Sequence, residues 1–251
     1  RVLWAEDNEV NIFLAKSIME SWHFDVDVAC NGQEAVELAE QNDYDVVLMD
    51  IQMPVMSGLD ATRQIRANPD KRKSGVPIIA LTANALKGDA EKYLSIGMNA
   101  YLSKPFEEEQ LYLKIASTLP HKASKKEENR PSMPDNTPQA ELLYDLSILH
   151  KMSRGNEAFI KRTKKLFLDT VPQTLTELNL RLEQQDWTGV SATAHKLKST
   201  IDTLRIEKVR DVIRKIEKGA KANDTQNDVS ASIAYLNAVM EQVLDQMKAD
   251  L

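Results

Sequence analysis

The sequence predicts two domains, an α/β domain with a doubly wound parallel sheet followed by an all-α helical bundle. Residues 1–119 alternate short apolar strands with amphipathic helices, which is typical of a doubly wound sheet. Residues 141–251 show helical periodicity and no convincing strand, which indicates a bundle. Residues 120–140 are rich in proline and polar side chains and predict a flexible linker, because they offer few apolar groups for burial.

Five strands and five helices are predicted in the first domain. The strongest signal is the apolar run that ends at Asp50, since its valine, leucine and methionine side chains suit a strand buried on both faces. The predicted strands are residues 2–5, 24–29, 45–50, 77–82 and 100–103. The predicted helices are residues 10–22, 33–41, 59–67, 89–96 and 107–119.

Composition excludes several classes of function. No apolar run approaches the roughly 18 residues of a membrane span. The single cysteine, Cys30, cannot form an internal disulfide, which indicates a reducing compartment. Residues 1–119 hold 19 acidic and 11 basic residues, and residues 141–251 hold 16 and 17, so neither domain carries the basic surface of a nucleic-acid-binding protein. The chain begins inside a strand without an initiator methionine, which indicates part of a longer protein.

Reactive side chains follow the predicted strands at the edge where parallel sheets bind ligands. Close carboxylates raise one another's pKa values unless a cation lies among them, and an all-oxygen site favours Mg²⁺. With an ammonium and a hydroxyl added, the site suits an acyl phosphate on an aspartate. An aspartate that only caps a turn is the alternative, and five matching residue types at strand ends argue against it. These residues are Glu6, Asp7, Asp50, Thr82 and Lys104.

The same stretches resemble the response-regulator receiver domain over nearly all of residues 1–119. The resemblance implies a flavodoxin-like sheet with strand order 2-1-3-4-5 and Asp50 as the phosphoacceptor. The matching motifs are Glu6-Asp7-Asn8, Met49-Asp50 with Met53-Pro54 and Gly58, Leu81-Thr82-Ala83, and Lys104-Pro105.

The resemblance also implies a role for each site residue. Mg²⁺, or Mn²⁺, would be held by Asp7, Asp50 and the backbone carbonyl of Gln52, with Glu6 acting through a water molecule. Thr82 and Lys104 would bind the phosphoryl group, and Tyr101 would turn inward when Thr82 moves. A phosphatase of the haloacid dehalogenase type is the alternative enzyme, but it requires a second aspartate where this sequence has Gln52.

In the second domain, helices are predicted at residues 145–152, 157–184, 188–204, 206–222 and 229–248. Breaks are predicted at Gly155-Asn156 and Asn223-Asp224, and Pro172 is predicted to kink the long helix. In the third of these helices, periodicity places Val190, Ala194, Leu197, Ile201 and Leu204 on the core face.

That periodicity places His195 on the exposed side, among small side chains and with Lys198 one turn further on. An exposed histidine without a function is the alternative. The helix resembles that of the histidine phosphotransfer (HPt) domain at His195, Leu197, Lys198 and Ser199, which implies that His195 is phosphorylated and that Lys198 and Ser199 lie on the docking rim. Ser199 and Arg205 stand where the family commonly has glycine, and the second departure is expected to alter the turn after the helix.

Together, the two resemblances imply the C-terminal part of a hybrid sensor histidine kinase. The dimerisation and phosphotransfer domain of a histidine kinase would phosphorylate Asp50, the group would pass to His195, and a downstream response-regulator receiver would accept it. The sequence contains no P-loop and none of the nucleotide-binding boxes of a kinase core, so this segment is not expected to bind ATP. We expect it at the cytoplasmic end of a membrane-anchored sensor kinase, without membrane or nucleic-acid contact of its own.

Two other functions compete with the relay. One is a non-relaying phospho-switch and docking module in which His195 is not phosphorylated. The other is a DNA-binding response regulator, which requires a basic recognition helix and is disfavoured by the balanced charge of the bundle.

Overall fold

The computed structural model describes residues 1–83, 89–119, 142–153, 156–222 and 227–251. The predicted linker at residues 120–140 lies outside these ranges. So do Gly155 and Asn223-Asp224, where two helix breaks were predicted. Among the described residues, none of the helices combines the length and apolarity that a membrane span requires.

The first domain is a five-stranded parallel sheet with strand order β2-β1-β3-β4-β5, as predicted. The predicted elements agree with the observed bounds to within two residues. The strands are β1 (Val2–Ala5), β2 (Val26–Ala29), β3 (Val46–Asp50), β4 (Ile78–Thr82) and β5 (Ala100–Ser103). The helices are α1 (Glu9–Ser21), α2 (Gly32–Gln41), α3 (Gly58–Arg66), α4 (Lys71–Ser74), α5 (Asp89–Ser95) and α6 (Glu108–Thr118).

The single turn of α4 was not predicted, because four polar residues carry no apolar periodicity. Its start is stabilised by Asp70, whose carboxylate accepts a hydrogen bond from the Arg72 backbone N–H at 2.8 Å.

Alternation along the strands places apolar side chains in two layers, one on each face of the sheet. Leu3 and Met49 pack on one face with Ala61 of α3, whereas Trp4 and Leu48 pack on the other face in a cluster that includes residues of α1 and α6. The central strands β1, β3 and β4 are buried throughout. Burial on both faces explains why these strands are continuously apolar up to their C-terminal ends.

The second domain is helical. Its helices are α7 (Ser147–Ser153), α8 (Glu157–Glu183), α9 (Trp187–Thr203), α10 (Glu207–Lys221) and α11 (Asn227–Ala249). α9 packs against α8 and α10, and α10 and α8 also contact α11. The core face predicted for α9 is confirmed: Val190, Ala194, Leu197 and Ile201 are all at most 1 % exposed. Pro172 lies within α8 and does not end it.

Arg205 follows α9 with φ +47, a backbone conformation that favours glycine. The turn is therefore formed without the glycine common in the family. The Arg205 guanidinium reaches an Asp145 carboxylate oxygen at 3.3 Å and the Ser147 hydroxyl at 3.4 Å, which ties the end of α9 to the start of α7.

Val55, in the loop between β3 and α3, is 84 % exposed and has φ +66. A β-branched residue rarely adopts this conformation, which costs about 1–3 kcal/mol. We expect Val55→Gly to raise the free energy of unfolding by about 1 kcal/mol, because the relieved strain exceeds the added entropy of glycine in the unfolded chain. Urea unfolding measures the change, and a lower midpoint would contradict the strain.

Candidate functional site

Three carboxylates converge at the C-terminal edge of the sheet. Glu6 and Asp7 follow β1, and Asp50 ends the neighbouring β3, with which β1 pairs in parallel. One carboxylate oxygen from each residue lies within 4.8 Å of the other two. Glu6 is 1 % exposed and Asp50 is 3 % exposed, so the charges are held in the interior.

Lys104 lies directly after β5 and contacts two of these carboxylates. Its Nζ is 2.5 Å from Glu6 Oε2 and 2.5 Å from Asp50 Oδ2. Burial alone would lower the pKa of Lys104, but the charges of Asp50 and Glu6 outweigh burial and raise it above its ordinary value. Lys104 therefore supplies a permanent positive charge at the edge of the sheet.

The remaining negative charge of the cluster is poorly compensated. Burial raises the pKa of Glu6 to about 7, with Lys104 opposing the shift and Asp50 adding to it. Burial, followed by the charge of Asp50, also raises the pKa of Asp7. Three oxygen donors that repel one another around a single ammonium fit a hard divalent cation.

The structure places three further residues of the predicted site, whose roles stay predictions. The Gln52 backbone N–H donates to Asp50 Oδ1 at 3.0 Å, which fixes one carboxylate oxygen. Thr82 ends β4, and its hydroxyl lies 3.1 Å from that of Tyr93. Tyr101 is 37 % exposed and its ring lies 6.4 Å from that of Tyr93, so it points outward here.

Gly58 opens α3 directly against the end of β3. A Cβ at this position would lie 2.0 Å from the Asp50 backbone oxygen, a distance that only displacement of the strand end could relieve. We expect Gly58→Ala to lower the free energy of unfolding by about 3 kcal/mol and to slow phosphorylation of Asp50. Urea unfolding and acetyl phosphate labelling measure both effects. Gly219→Ala is the control, because its Cβ would meet a Val229 side chain instead of backbone.

His195 is 9 % exposed, so the prediction of a solvent-facing imidazole was wrong. Periodicity identifies the face of α9 that the bundle core covers, but not the surfaces that α10 and the first domain add. His195 Nδ1 lies 3.0 Å from Glu217 Oε1, and Lys198 Nζ lies 2.6 Å from Glu217 Oε2. Lys221 Nζ adds a contact to Glu217 at 2.8 Å.

Glu217 is an ionised acceptor in this cluster. Burial would raise its pKa, but hydrogen bonds from His195, Lys198 and Lys221 outweigh burial and hold the pKa well below its ordinary value. Because an ionised carboxylate can only accept, His195 Nδ1 is the donor of this hydrogen bond, so the neutral imidazole has its lone pair on Nε2. Glu217 was not predicted. A carboxylate beside the apolar face of α10 indicated a partly buried charge, but periodicity could not show that this face meets His195.

Asp50 and His195 line one cavity of about 590 Å³ between the two domains. Gln52 and Thr82 of the first domain also line it. The cavity is rich in cations, which suits a phosphoryl group that carries charge on several oxygens. These cations are Lys92, Lys198, Arg214, Lys218 and Lys221. Ser199 lines a second cavity at this interface, together with Glu6 and Lys104.

The N-terminus of α1 joins the two domains through Asn8. Its Oδ1 accepts from the backbone N–H groups of Val10 and Asn11 and caps α1. Its Nδ2 donates to the Lys196 carbonyl at 2.9 Å and to the Thr200 hydroxyl at 2.8 Å on α9.

The apolar side of α1 packs against the helical domain. Val10 and Leu14 belong to the same buried cluster as the bundle core. Further along α1, Phe13 stacks on Phe159 of α8, with ring centroids 5.4 Å apart and planes at 21°. The Arg162 guanidinium lies 5.0 Å from the centre of the Phe13 ring.

Comparison with known families agrees with this geometry. The family model "Response regulator receiver domain" matches residues 2–116, and the family model "Hpt domain" matches residues 162–250. The chain therefore carries a response regulator receiver domain followed by an Hpt domain, and it is a two-component phosphorelay module. Both resemblances drawn from the sequence motifs are confirmed.

Relatives of known name match along most of the chain. It is 27 % identical over 242 residues to the signal transduction histidine-protein kinase BarA of Shigella flexneri, covering 96 % of this chain and 26 % of that protein. It is 31 % identical over 217 residues to the aerobic respiration control sensor protein ArcB of Escherichia coli, and the match covers 86 % of this chain and 27 % of that protein. The chain thus spans about a quarter of the length of these relatives.

Among solved structures, the chain is similar to the receiver domain of the sensor histidine kinase PA1611 from Pseudomonas aeruginosa, with a magnesium ion in its active site cleft. The identity is 44 %, the TM-score is 0.44, and the match covers 47 % of this chain and 94 % of that one. A co-crystal structure of Saccharomyces cerevisiae Ypd1 with the Ssk1 receiver domain matches at 35 % identity and a TM-score of 0.43. This match covers 47 % of this chain and 86 % of that one.

Proposed function

We propose that this module transfers a phosphoryl group from Asp50 to His195 within one chain. The observation that carries the proposal is the shared cavity, which both the receiver carboxylate and the Hpt imidazole line. The phosphoryl group would come from the dimerisation and phosphotransfer domain of a histidine kinase and pass on to a downstream response-regulator receiver. The segment would belong to the cytoplasmic end of a membrane-anchored sensor kinase and would not itself use ATP.

The proposed domain boundaries are residues 1–119 for the receiver domain, 120–140 for the linker and 141–251 for the Hpt domain. Packing supports a start before residue 162, where the Hpt family match begins. Leu149 of α7 is fully buried in the bundle core, and the Leu143 backbone N–H donates to Gln246 of α11 at 3.0 Å.

Asp7, Asp50 and the backbone carbonyl of Gln52 would hold Mg²⁺, with Glu6 acting through a water molecule. Either Mg²⁺ or Mn²⁺ suits this set, because every proposed protein donor is a hard oxygen. When bound, the cation neutralises charge on the phosphoryl oxygens. Lys104 would bind a phosphoryl oxygen, and the Thr82 hydroxyl would donate to another.

Glu217 would prepare His195 for attack. The Nε2 lone pair attacks phosphorus, the bond from phosphorus to an Asp50 carboxylate oxygen breaks, and the carboxylate leaves with its electron pair. The imidazole keeps its Nδ1 proton and gains positive charge as the N–P bond forms. Glu217, 3.0 Å from Nδ1, stabilises that charge, while Lys198 at the cavity edge contacts the incoming phosphoryl oxygens.

Labelling with radioactive acetyl phosphate and Mg²⁺ tests the proposal in wild type, Asp50→Ala and His195→Gln. An acyl phosphate is lost in base and a phosphohistidine is lost in acid, so the two labels separate. We expect base-stable label in wild type and none in either variant. In wild type, the rate constant for the appearance of base-stable label should not depend on protein concentration. Base-labile label alone would instead support the phospho-switch and docking module, and a rate proportional to concentration would indicate transfer between chains.

A further inference from the structure

The Hpt face that contains His195 is occupied by the receiver domain of the same chain. His195 is 9 % exposed, and Asp50 lines the same cavity. A downstream receiver must bring its own aspartate to the same imidazole nitrogen. Two receivers cannot occupy one nitrogen, so onward transfer requires the internal receiver to leave. This inference rests on the proposed function and adds which contact controls the replacement of the internal receiver by a downstream receiver.

The contact that can control this exchange lies away from the reacting groups. Between α1 and α8, the Phe13 ring contacts both the Phe159 ring and the Arg162 guanidinium, and we term these three residues the aromatic latch. No member of the latch lines the cavity between Asp50 and His195. Phe13 and Phe159 are half-buried, and Arg162 is exposed. The latch therefore lies at the margin of the buried cluster that α1 shares with the bundle.

The rest of the interface combines an apolar contact with polar ones. Val10 and Leu14 pack against the bundle core, Asn8 donates to α9, and a Lys151–Glu107 ion pair at 3.1 Å has both side chains more than half exposed. Such a pair contributes little in water. Because both domains belong to one chain, a linker of the predicted flexibility would hold the receiver at roughly millimolar concentration near the Hpt face.

We propose that the aromatic latch sets how long the internal receiver occupies the His195 face, and that a downstream receiver binds the same face once the latch opens. The incoming partner is a receiver domain whose first helix presents a large apolar side chain to Phe159 and Arg162. An amide donor before that helix would replace the Asn8 contacts to α9. The stability of the aromatic latch then determines how often His195 exchanges a phosphoryl group with Asp50 and how often with a downstream receiver.

Two complementary variants of the full chain isolate transfer between molecules. The donor is His195→Gln, labelled at Asp50 with acetyl phosphate, freed of the reagent and then mixed with the recipient. The recipient is Asp50→Ala, which accepts label only on His195. Base-stable label on the recipient therefore measures docking of a second receiver at a face that the recipient's own receiver occupies.

We expect Phe13→Ala in the recipient to raise the rate of this transfer about three- to tenfold, because an aromatic stack is lost from the internal receiver and not from the incoming one. Arg162→Ala in the donor also raises the rate, because it frees the donor's receiver and leaves the recipient's Hpt face intact. Leu113→Ala in the recipient is the matched control, since this receiver side chain is 59 % exposed in the docked chain.

A folding defect of the recipient's Hpt domain predicts the opposite sign, because a damaged Hpt domain accepts label more slowly, and unfolding of its receiver domain is detected by circular dichroism. An unchanged or lower rate with Phe13→Ala in a recipient of normal circular dichroism would overturn the latch. If the Phe13 variant is unfolded, an unchanged or lower rate with Arg162→Ala in the donor would overturn it instead. Failure of the proposed function looks different, because wild type would then gain no base-stable label.

Discussion

Lys104→Ala prevents phosphorylation of Asp50 and lowers the free energy of unfolding of the metal-free protein by about 3 kcal/mol. The stability loss follows because Lys104, 11 % exposed, neutralises two carboxylates that are at most 5 % exposed. Removing one partner of a buried ion pair typically costs 3–5 kcal/mol. Protonation of Glu6, whose pKa is about 7, limits the loss. Urea unfolding and acetyl phosphate labelling measure the two effects.

Added Mg²⁺ provides an independent readout of the same site. In Lys104→Ala, Mg²⁺ is expected to raise the unfolding midpoint more than in wild type, because a bound cation replaces the missing charge. Lys92→Ala is the matched control: Lys92 lines the same cavity from α5 and is exposed. Equal effects of the two lysine substitutions would show that general positive charge matters, and not the position of Lys104.

Glu217→Ala slows phosphorylation of His195 by about 10²-fold while phosphorylation of Asp50 is unchanged. Without the carboxylate, the imidazole loses the group that keeps the proton on Nδ1 and stabilises the charge gained at transfer. Lys198 also loses its partner at 2.6 Å, which lowers the free energy of unfolding by about 3 kcal/mol. Glu217→Gln keeps an acceptor and is expected to retain about a tenth of the rate. Acid-labile label after fixed times measures transfer.

Glu207→Ala is the control for Glu217, because it removes a carboxylate from the same helix whose ion pair with Arg210 is exposed. A purely structural role for Glu217 would lower stability and leave the pH profile of transfer unchanged. A positioning role predicts a changed profile in Glu217→Gln, because the amide can no longer hold the imidazole charge.

The pH dependence of stability provides a further test of the Glu217 cluster. Its pKa is depressed in the folded protein, so its stabilising contribution is fully present above the ordinary value of 4.5 and is lost as the pH falls below it. The stability difference between wild type and Glu217→Gln should shrink as the pH falls below 4.5. Urea unfolding at several pH values measures this difference, and a difference that does not shrink in that range would contradict it.

The sequence predicted the sheet and its edge because strand signals are local. The run before Asp50 is apolar at every position, and parallel strands bring their C-terminal ends to one edge, so Glu6, Asp50 and Lys104 meet without knowledge of distant contacts. The metal and phosphoryl roles remain predictions.

The surroundings of His195 could not be predicted in the same way. Periodicity defines the core face of α9 but not what covers its other side. That covering depends on complementarity between distant segments, such as Asn8 with Lys196 and Phe13 with Phe159. Glu217 was missed for the same reason, because its importance appears only when α10 is placed beside α9.

Asn8 couples the local structure of α1 to the distance between the domains. One end of its amide caps α1, and the other end holds the Hpt helix α9. When the two domains separate, the Asn8 amide nitrogen loses its acceptors on α9, and the Asn8 side chain that caps α1 is free to rotate. Hydrogen exchange at the Val10 and Asn11 amides should therefore report docking directly. Asn8 adjoins Asp7, so docking and ligand binding at the carboxylates involve neighbouring residues. If a ligand binds the carboxylates more tightly in the docked form, thermodynamic linkage requires that the ligand strengthens docking by the same factor.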